Sequence, residues 1–303
     1  MKRILADGLV AAALGVGCVV AADEPRTDGA AALKSEKTAK TASAETSARA
    51  GKTAVSEKSK QTENAEKSDA AAPPENDAAR LRRAVAETVA ATVDEPEKLR
   101  RLDRTAPLWV SADRERVVVG GVVCLREGPL EFFACRRGSK EHESIVSIDA
   151  PPHLIHAALL AVGAKQGKPA KFDPEFVPPS GEEIAIELRW RDAETGEVRK
   201  IRAEETVREA ETGRELASTW VFTGGLFGVD AEGKKYYLAN VTGEIIGVSN
   251  FPGSVLDLPF ESSSDNSLLT FEANAEKIPP TGTQVALILT RKNKSKNGAE
   301  RKR

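Results

Sequence analysis

The clearest alternation of apolar and polar positions in the chain is helical and begins after Asn76. Large apolar residues recur every four positions along one face of residues 77–93, and Asn76 is a residue type that caps helix starts. Prolines at 96 and 107 then close a region that we interpret as a helical lead-in, residues 77–106. The stripe consists of Leu81, Val85, Val89 and Val93. Because one narrow stripe cannot form a core, we expect this helix to lie against the folded domain or a partner.

Residues 107–291 show mainly the alternation of β-strands. Ile184, Ile186, Leu188 and Trp190 alternate with polar or small residues, as in a strand with one buried face. Every Trp, Tyr and Phe of the chain lies in this region, which is long enough for one substantial core. Strand and helix patterns do not alternate regularly. The pattern therefore predicts a single α+β domain with a mostly antiparallel sheet and a few helices.

Two apolar stretches in this domain, 117–125 and 130–135, flank a turn sequence at 126–129 and predict a β-hairpin. The adjacent Gly120 and Gly121 indicate a bulge or a close approach by another element.

The domain contains two cysteines, Cys124 and Cys135, which an oxidising compartment would allow to form a disulfide. A tight hairpin turn, however, would place Cys124 opposite Glu131 and Cys135 opposite Gly120. A simple hairpin register therefore opposes the bond, and the state of the two thiols stays open.

The segment Cys135–Gly163 contains all three histidines of the chain. Its residues 142–149 alternate like a half-buried strand, and two prolines end that strand. Residues 153–163 then predict a short helix that stops at a glycine. The helix is apolar on nearly every face, which is typical of a buried helix.

The chemistry of this segment permits three interpretations. The first is a site for zinc or another transition metal, because the segment supplies the required nitrogen, sulfur and oxygen donors. The candidate ligands are Cys135, His142, Glu143, His153 and His156. The second interpretation, which we favour because the spacing matches no compact zinc motif, is that the histidines are architectural and hydrogen-bonded within the fold. The third is a hydrolase in which His142 and Glu143 transfer protons.

The chain begins with the features of a secretory signal peptide, residues 1–22. Two basic residues precede an apolar run, 8–20, that is too short to cross a bilayer, and small residues follow it. The alternative is lipidation at Cys18, because residues 14–18 resemble a lipobox. Both interpretations predict an exported protein that is periplasmic, bound to the cell envelope or secreted.

Two further segments are predicted to be disordered. Residues 23–76 contain no aromatic residue, so they cannot offset a backbone entropy cost of about 1–2 kcal/mol per residue. The basic tail, 292–303, also lacks aromatic residues. The whole chain balances 44 Lys and Arg against 46 Asp and Glu. We therefore expect no nucleic acid partner, and membrane contact only through a lipid anchor.

Seven segments of the domain, in order, resemble one family. They are VCLREGPLEFFAC, KEHESI, HAALLAVGAKQG, the proline-rich Phe172–Gly181, WVFTGG, YYLANVTGEIIGVSNFPGSVLDLP and IPPTGTQV. Together they resemble the YdjY-type domain of exported bacterial proteins over most of residues 107–290. The resemblance implies an extracytoplasmic domain with no established reaction.

One branch of that family carries a ferredoxin-like label, which would imply an iron–sulfur cluster. Such a cluster usually takes four cysteine ligands and this domain has two, so we do not expect one. The chain also carries Gly225 where the resemblance leads us to expect serine, and Gly247 where related sequences carry cysteine. Both departures argue against a thiol-based site.

These observations lead us to expect an exported, non-catalytic binding or structural module on a disordered tether. Its partner would be an unidentified extracytoplasmic protein or another component of the cell envelope. The metal-binding and hydrolase interpretations remain the alternatives.

Overall fold

The computed structural model of the chain describes residues 76–263, 265 and 269–292. The predictions for the signal peptide, Cys18, the linker up to residue 75 and the tail from residue 293 lie outside these residues.

The described residues form three α-helices and fifteen strands. The helices are α1 (Asp77–Thr92), α2 (Pro152–Ala161) and α3 (Leu238–Thr242). The strands are β1 (Leu99–Arg101), β2 (Leu108–Ser111), β3 (Arg116–Val123), β4 (Phe132–Arg136), β5 (Ser144–Ile148), β6 (Glu183–Arg191), β7 (Val198–Arg202), β8 (Val207–Glu209), β9 (Trp220–Phe222), β10 (Phe227–Val229), β11 (Lys235–Tyr237), β12 (Glu244–Gly247), β13 (Leu256–Asp257), β14 (Phe271–Ala273) and β15 (Gln284–Arg291). Short 3-10 turns occur at Pro96–Lys98, Glu141–Glu143 and Ala203–Thr206.

Eight of the strands close into a barrel. They are hydrogen-bonded in the order β3, β15, β6, β9, β13, β12, β4 and β5, and β5 pairs again with β3. The pairs β4–β5 and β12–β13 are parallel, whereas the other neighbours are antiparallel. Outside the barrel, β1 and β2 extend from β3, and β7 pairs with β6. The pairs β10–β11 and β8–β14 form two small separate sheets.

The prediction of an α+β domain with a mostly antiparallel sheet is wrong. The described chain is mostly β, and its main sheet is a closed barrel of mixed strand direction. The connection between the parallel strands β4 and β5 explains the error, because it contains only residues 137–143. Parallel neighbouring strands are ordinarily joined by a crossover of a dozen residues or more. This short polar segment therefore gave no indication that β4 and β5 are parallel.

The predicted hairpin of 117–125 with 130–135 is also wrong. The strands β3 and β4 do not pair with each other, because β5 lies between them and pairs with both. On that side β3 first pairs with β2, through residues 117–119, and then with β5, through residues 122–123. The two adjacent glycines lie where β3 changes partner.

The helix α1 lies on the outside of the barrel through its predicted apolar stripe. The Asn76 side chain caps it by accepting a hydrogen bond from the backbone N–H of Ala79 at 2.8 Å. Val89 packs with residues of β3 and β15, and burying one such side chain contributes about 1.5–3 kcal/mol. A side chain at Gly120 would place its Cβ only 2.3 Å from Val85 Cγ1. The glycine therefore allows the helix to approach the sheet closely, as the sequence indicated.

The barrel interior contains the main apolar core. Its largest side chains include Phe133 and Trp220, whose ring centroids are 5.5 Å apart. Helix α2 adds Ile155 and Leu159 to the same core. Its opposite side is exposed, with Leu160 at 49%. The expectation that this helix is buried is therefore correct for one face only.

Candidate functional site

The five predicted metal ligands do not converge on one point. His142 and Glu143 lie together on the 3-10 turn before β5, with Nε2 of the histidine 3.6 Å from Oε2 of the glutamate. The His142 side chain is 77% exposed, however, and Glu143 already pairs with Lys140 at 3.1 Å. Cys135 is fully buried in β4.

The two histidines of α2 have separate partners. The backbone N–H of His153 donates to Asn240 Oδ1 at 3.1 Å, and its ring Nδ1 contacts the same amide. His156 is buried, and its Nε2 lies 3.1 Å from Gln166 Oε1. Burial lowers the pKa of His156, so its ring stays neutral at physiological pH. Both histidines serve as hydrogen-bonded supports between neighbouring elements.

Within the described residues, no three His, Cys, Asp or Glu side chains are grouped so that they could hold a metal ion. The geometry therefore does not support a shared site for the candidate ligands.

The chain concentrates its buried charge elsewhere, around Lys140. The Lys140 ammonium lies 3.1 Å from Glu143 Oε1 and 3.3 Å from Glu131 Oε2. It also lies over the stacked rings of Phe132 and Phe251, 4.8 and 4.9 Å from their centroids. Attraction between a cation and an aromatic face adds about 0.5–2 kcal/mol at such a position. The loop between β4 and β5 thus inserts its lysine between carboxylates and rings.

Two further buried carboxyl groups complete this cluster, which we call the polar centre. Glu244 begins β12 opposite Cys135 and is 6% exposed, and Asp257 ends β13 and is fully buried. Glu244 lies close to Gly253, where a Cβ would fall 2.0 Å from its Oε2. The polar centre consists of Glu131, Lys140, Glu143, Glu244 and Asp257.

The environment of the polar centre shifts several pKa values. Burial raises the pKa of Glu131, and the charge of Glu143 adds to this effect. Burial also raises the pKa of Glu244, against the attraction of Lys140. For Lys140, burial acts to lower the pKa, but the hydrogen bond to Glu143 and the nearby carboxylates raise it overall. Lys140 therefore counteracts part of the effect of burial on Glu131 and Glu244.

Asp257 is held inside the fold by three donors. Leu258 N–H and Asn250 Nδ2 donate to its Oδ1 at 2.8 and 3.1 Å, and Phe251 N–H donates to its Oδ2 at 3.3 Å. Burial nevertheless raises the pKa of Asp257 to about 8, against these three hydrogen bonds. The group is thus largely a neutral acid near pH 7. Its hydrogen bonds from Asn250 and Phe251 hold the loop that follows β12.

Sequence reasoning missed most of the polar centre because it looked for histidine and cysteine. A usable signal was present, however. Glu131 lies between Leu130 and Phe132, and Asp257 lies between Leu256 and Leu258. A single acidic residue inside an apolar run is rarely fully buried unless it has specific partners.

The second unusual feature is an exposed surface that we call the apolar face. Ten large apolar side chains of the described residues are exposed, and eight of them lie on α2, the 168–180 loop, the β10–β11 hairpin and α3. These eight are Leu160, Phe172, Val177, Leu226, Phe227, Val229, Tyr236 and Val241. The other two are Leu102 and Val198. Exposed apolar residues are therefore concentrated on a few elements and are not scattered.

Helix α2 contacts α3 and the β10–β11 hairpin, and the 168–180 loop begins beside it. The His156 ring of α2 lies 6.2 Å from the ring of Phe227 and 5.5 Å from that of Tyr237. The base of the 168–180 loop joins the same region, because Gly167 N–H donates to Phe222 O at 2.9 Å. Helices α2 and α3 meet through His153 and Asn240. The histidines thus support the surface on which the apolar side chains lie.

None of the helices within the described residues has both the length and the apolar composition needed to span a membrane.

The fold and these two features define a class of protein: a mostly β, closed-barrel domain with a largely buried polar centre and an exposed apolar face. The model of the YdjY domain family matches residues 108–290. The chain belongs to this family of bacterial proteins, and the resemblance seen in the sequence is confirmed. No curated protein and no solved structure matches the chain.

Proposed function

We propose that this protein is an exported, non-catalytic binding module that uses its apolar face to bind another protein of the cell envelope. The observation that carries the proposal is the concentration of eight exposed apolar side chains on four adjoining elements. Extended exposed apolar surface is uncommon on soluble monomers and marks interaction sites.

The chemistry of the face fits a protein partner with an apolar segment. Phe227 and Val229 are 57% and 61% exposed at the β10–β11 hairpin, and aromatic side chains frequently anchor protein interfaces. The Phe227 ring is held in place by packing against the Tyr237 ring, since the two ring centroids are 4.8 Å apart. A preformed surface of this kind loses little entropy on binding. Export, which the sequence predicts, would bring the face to envelope proteins.

Selection from a displayed peptide library against the purified protein tests this proposal. A selected peptide is then titrated calorimetrically against wild type, the double variant Phe227→Asp/Val229→Asp and the control Val198→Asp. Val198 is also exposed, at 43%, but lies on β7 outside the apolar face. We expect apolar peptides whose affinity falls at least about tenfold in the double variant, equivalent to about 1.4 kcal/mol, and is unchanged in the control. Equal binding to wild type and double variant, or a library that yields no binder, would contradict the proposal.

A further inference from the structure

A cleft of about 340 Å³ lies between helix α1 and the residues at the end of β1 and just after it. We call it the arginine cleft, because four arginines line it and none of the described residues in its lining is acidic. The four are Arg82, Arg83, Arg101 and Arg104. Sites that bind small molecules usually have volumes of about 300–1,000 Å³. The arginine cleft is therefore large enough for a compact ligand.

The sequence of α1 builds one wall of the cleft. Ala79, Arg82, Arg83 and Ala86 follow the spacing i, i+3, i+4 and i+7, so they lie on one face of the helix. The apolar stripe that packs on the barrel lies on a different face. Because the two alanines are small, they leave space along the helix on either side of the arginines.

The opposite wall holds one arginine in a fixed position. The Arg101 guanidinium lies over the ring of Trp109, 5.3 Å from the ring centroid. Its Nη2 also donates to the carbonyl oxygens of Thr105 and Ala106, at 3.3 and 3.4 Å. A guanidinium carries five N–H donors, so these contacts leave others available to a ligand. The side chain is thus positioned before a ligand binds.

The two walls differ in how their charge is compensated. Each arginine of the α1 wall has a carboxylate oxygen within 4.0 Å. Neither Arg101 nor Arg104 forms an ion pair with a carboxylate in the part of the chain that the structure describes. Asp103 lies between them in the sequence, but its carboxylate accepts hydrogen bonds from the backbone N–H groups of Thr105 and Ala106, at 2.8 and 2.7 Å. It therefore closes the turn and attracts Arg101 only from beyond ion-pair distance.

The charge of the arginine cleft favours a phosphate group as its ligand. The whole chain has slightly more acidic than basic residues, so composition alone does not explain a cleft lined by arginines. Guanidinium groups bind phosphate oxygens through paired N–H donors. A phosphate monoester carries a charge of about −1.5 to −2 at pH 7. One such group matches the two arginines that lack an ion pair, whereas one carboxylate would match only one of them.

We infer that the arginine cleft binds a phosphate-bearing ligand. Arg101 and Arg104 pair with the phosphate group, and Arg82 and Arg83 attract it from the opposite wall. The site is separate from the apolar face, which lies on other elements, so it is a second binding site of the domain. A soluble phosphorylated molecule and the headgroup of an anionic lipid supply the same chemistry, and the experiment includes one probe for each source.

Calorimetric titration of the full chain with inorganic pyrophosphate tests the inference. The test variant is Arg101→Gln/Arg104→Gln. The control, Arg199→Gln/Arg214→Gln, removes the same charge from arginines outside the cleft whose side chains are 50% and 73% exposed. We expect saturable binding that is at least about tenfold weaker in the test variant and unchanged in the control. The absence of saturable binding to wild type, or equal affinities in the two variants, would overturn the inference.

A second variant guards against a change in folding. Arg101 contacts Trp109, so circular dichroism should verify that the test variant is folded. Arg104→Gln alters a single exposed side chain, and its affinity for pyrophosphate should also fall, by about threefold or more. Wild-type affinity in this variant would contradict the assigned role of Arg104.

Vesicle sedimentation identifies the source of the phosphate. The vesicles consist of phosphatidylcholine with or without phosphatidic acid, whose headgroup is a phosphate monoester. Sedimentation of the chain that requires phosphatidic acid and is abolished by pyrophosphate assigns the cleft to a lipid headgroup. Vesicles that do not bind the chain, or that bind it without competition from pyrophosphate, assign the cleft to a soluble phosphate.

Discussion

The polar centre and the apolar face reverse the ordinary distribution of side chains. In the polar centre, Glu131, Glu244 and Asp257 are at most 7% exposed, whereas Phe227 and Val229 of the apolar face are more than half exposed. Buried charge is costly unless it is paired, and exposed apolar area is costly unless it is covered. The first cost is offset inside the chain by Lys140 and by backbone donors. Nothing within the described residues covers the second, which is why we assign binding to the apolar face.

Truncation of two aromatic rings that both contact His156 should give the largest difference in unfolding free energy. Phe222 is fully buried and Phe227 is 57% exposed. Truncation of Phe222 to alanine leaves a cavity and should lower the free energy of unfolding by about 3–5 kcal/mol, whereas Phe227→Ala should cost under about 1 kcal/mol. Urea denaturation measures both. Similar losses would mean that the exposed ring is part of the structural core.

Replacement of Asp257 by asparagine should remove a pH dependence of stability. The folded pKa of about 8 exceeds the unfolded value of about 3.9, so between these values the folded chain keeps a proton that the unfolded chain has lost. Wild-type stability should therefore fall as pH rises through this window and level off above about pH 8.

The measured quantity is the difference in unfolding free energy between wild type and Asp257→Asn. It should change by about 2–4 kcal/mol from pH 5 to pH 8, to the disadvantage of the wild type, since one pKa unit corresponds to about 1.36 kcal/mol. A difference that is constant with pH would show that Asp257 is already ionised in the folded protein.

Lys140→Met should cost about 2–3 kcal/mol at pH 8, because it leaves Glu131 and Glu143 without their cation in a poorly solvated site. The cost should shrink at pH 5, because burial raises the pKa of Glu131 and this carboxyl group then takes up a proton more readily. The control is Lys98→Met, which breaks an exposed pair with Glu95 and should change stability by about 0.5 kcal/mol or less. Equal losses of unfolding free energy in the two variants would show that the polar centre stabilises the fold no more than an exposed ion pair does.

The contribution of His156 to the pH dependence of stability should be the smallest of these effects. Its sign should be opposite to that of the Asp257 contribution. Burial holds the pKa of His156 below 6.5, so in moderately acidic solution the unfolded chain binds more protons at this position than the folded chain. Stability should therefore fall as pH drops below about 6.5. His156→Phe should reduce this loss of stability in acid, as measured by thermal unfolding between pH 7.5 and 5. An unchanged acid loss would mean that the ring protonates without cost in the folded state.

The sequence predicted the local features of the fold but not its closure. The α1 stripe and its Asn76 cap depend on neighbouring residues, and both were predicted. Barrel closure depends instead on β3 changing partner at Gly120–Gly121 and on the parallel β4–β5 pair. Both are contacts between distant segments, which periodicity does not encode.

The candidate site was predicted in part for a similar reason. Residue type led to the histidines, and the structure gives His153 and His156 the supporting contacts that we favoured. The sequence showed that the helix now called α2 is apolar on nearly every side. It did not show which side the barrel covers and which side contributes to the apolar face. The register predicted for Cys124 and Cys135 was wrong, because the hairpin prediction omitted β5, which lies between their strands.

The most direct test of the account compares binding by one variant from each region. A library-selected peptide is titrated against Phe227→Asp/Val229→Asp and against Glu244→Gln, which neutralises a buried carboxyl group of the polar centre with little change in shape. The account predicts at least about tenfold weaker binding for the first variant and wild-type affinity for the second. Loss of binding in Glu244→Gln, with retained binding in the apolar-face variant, would contradict it.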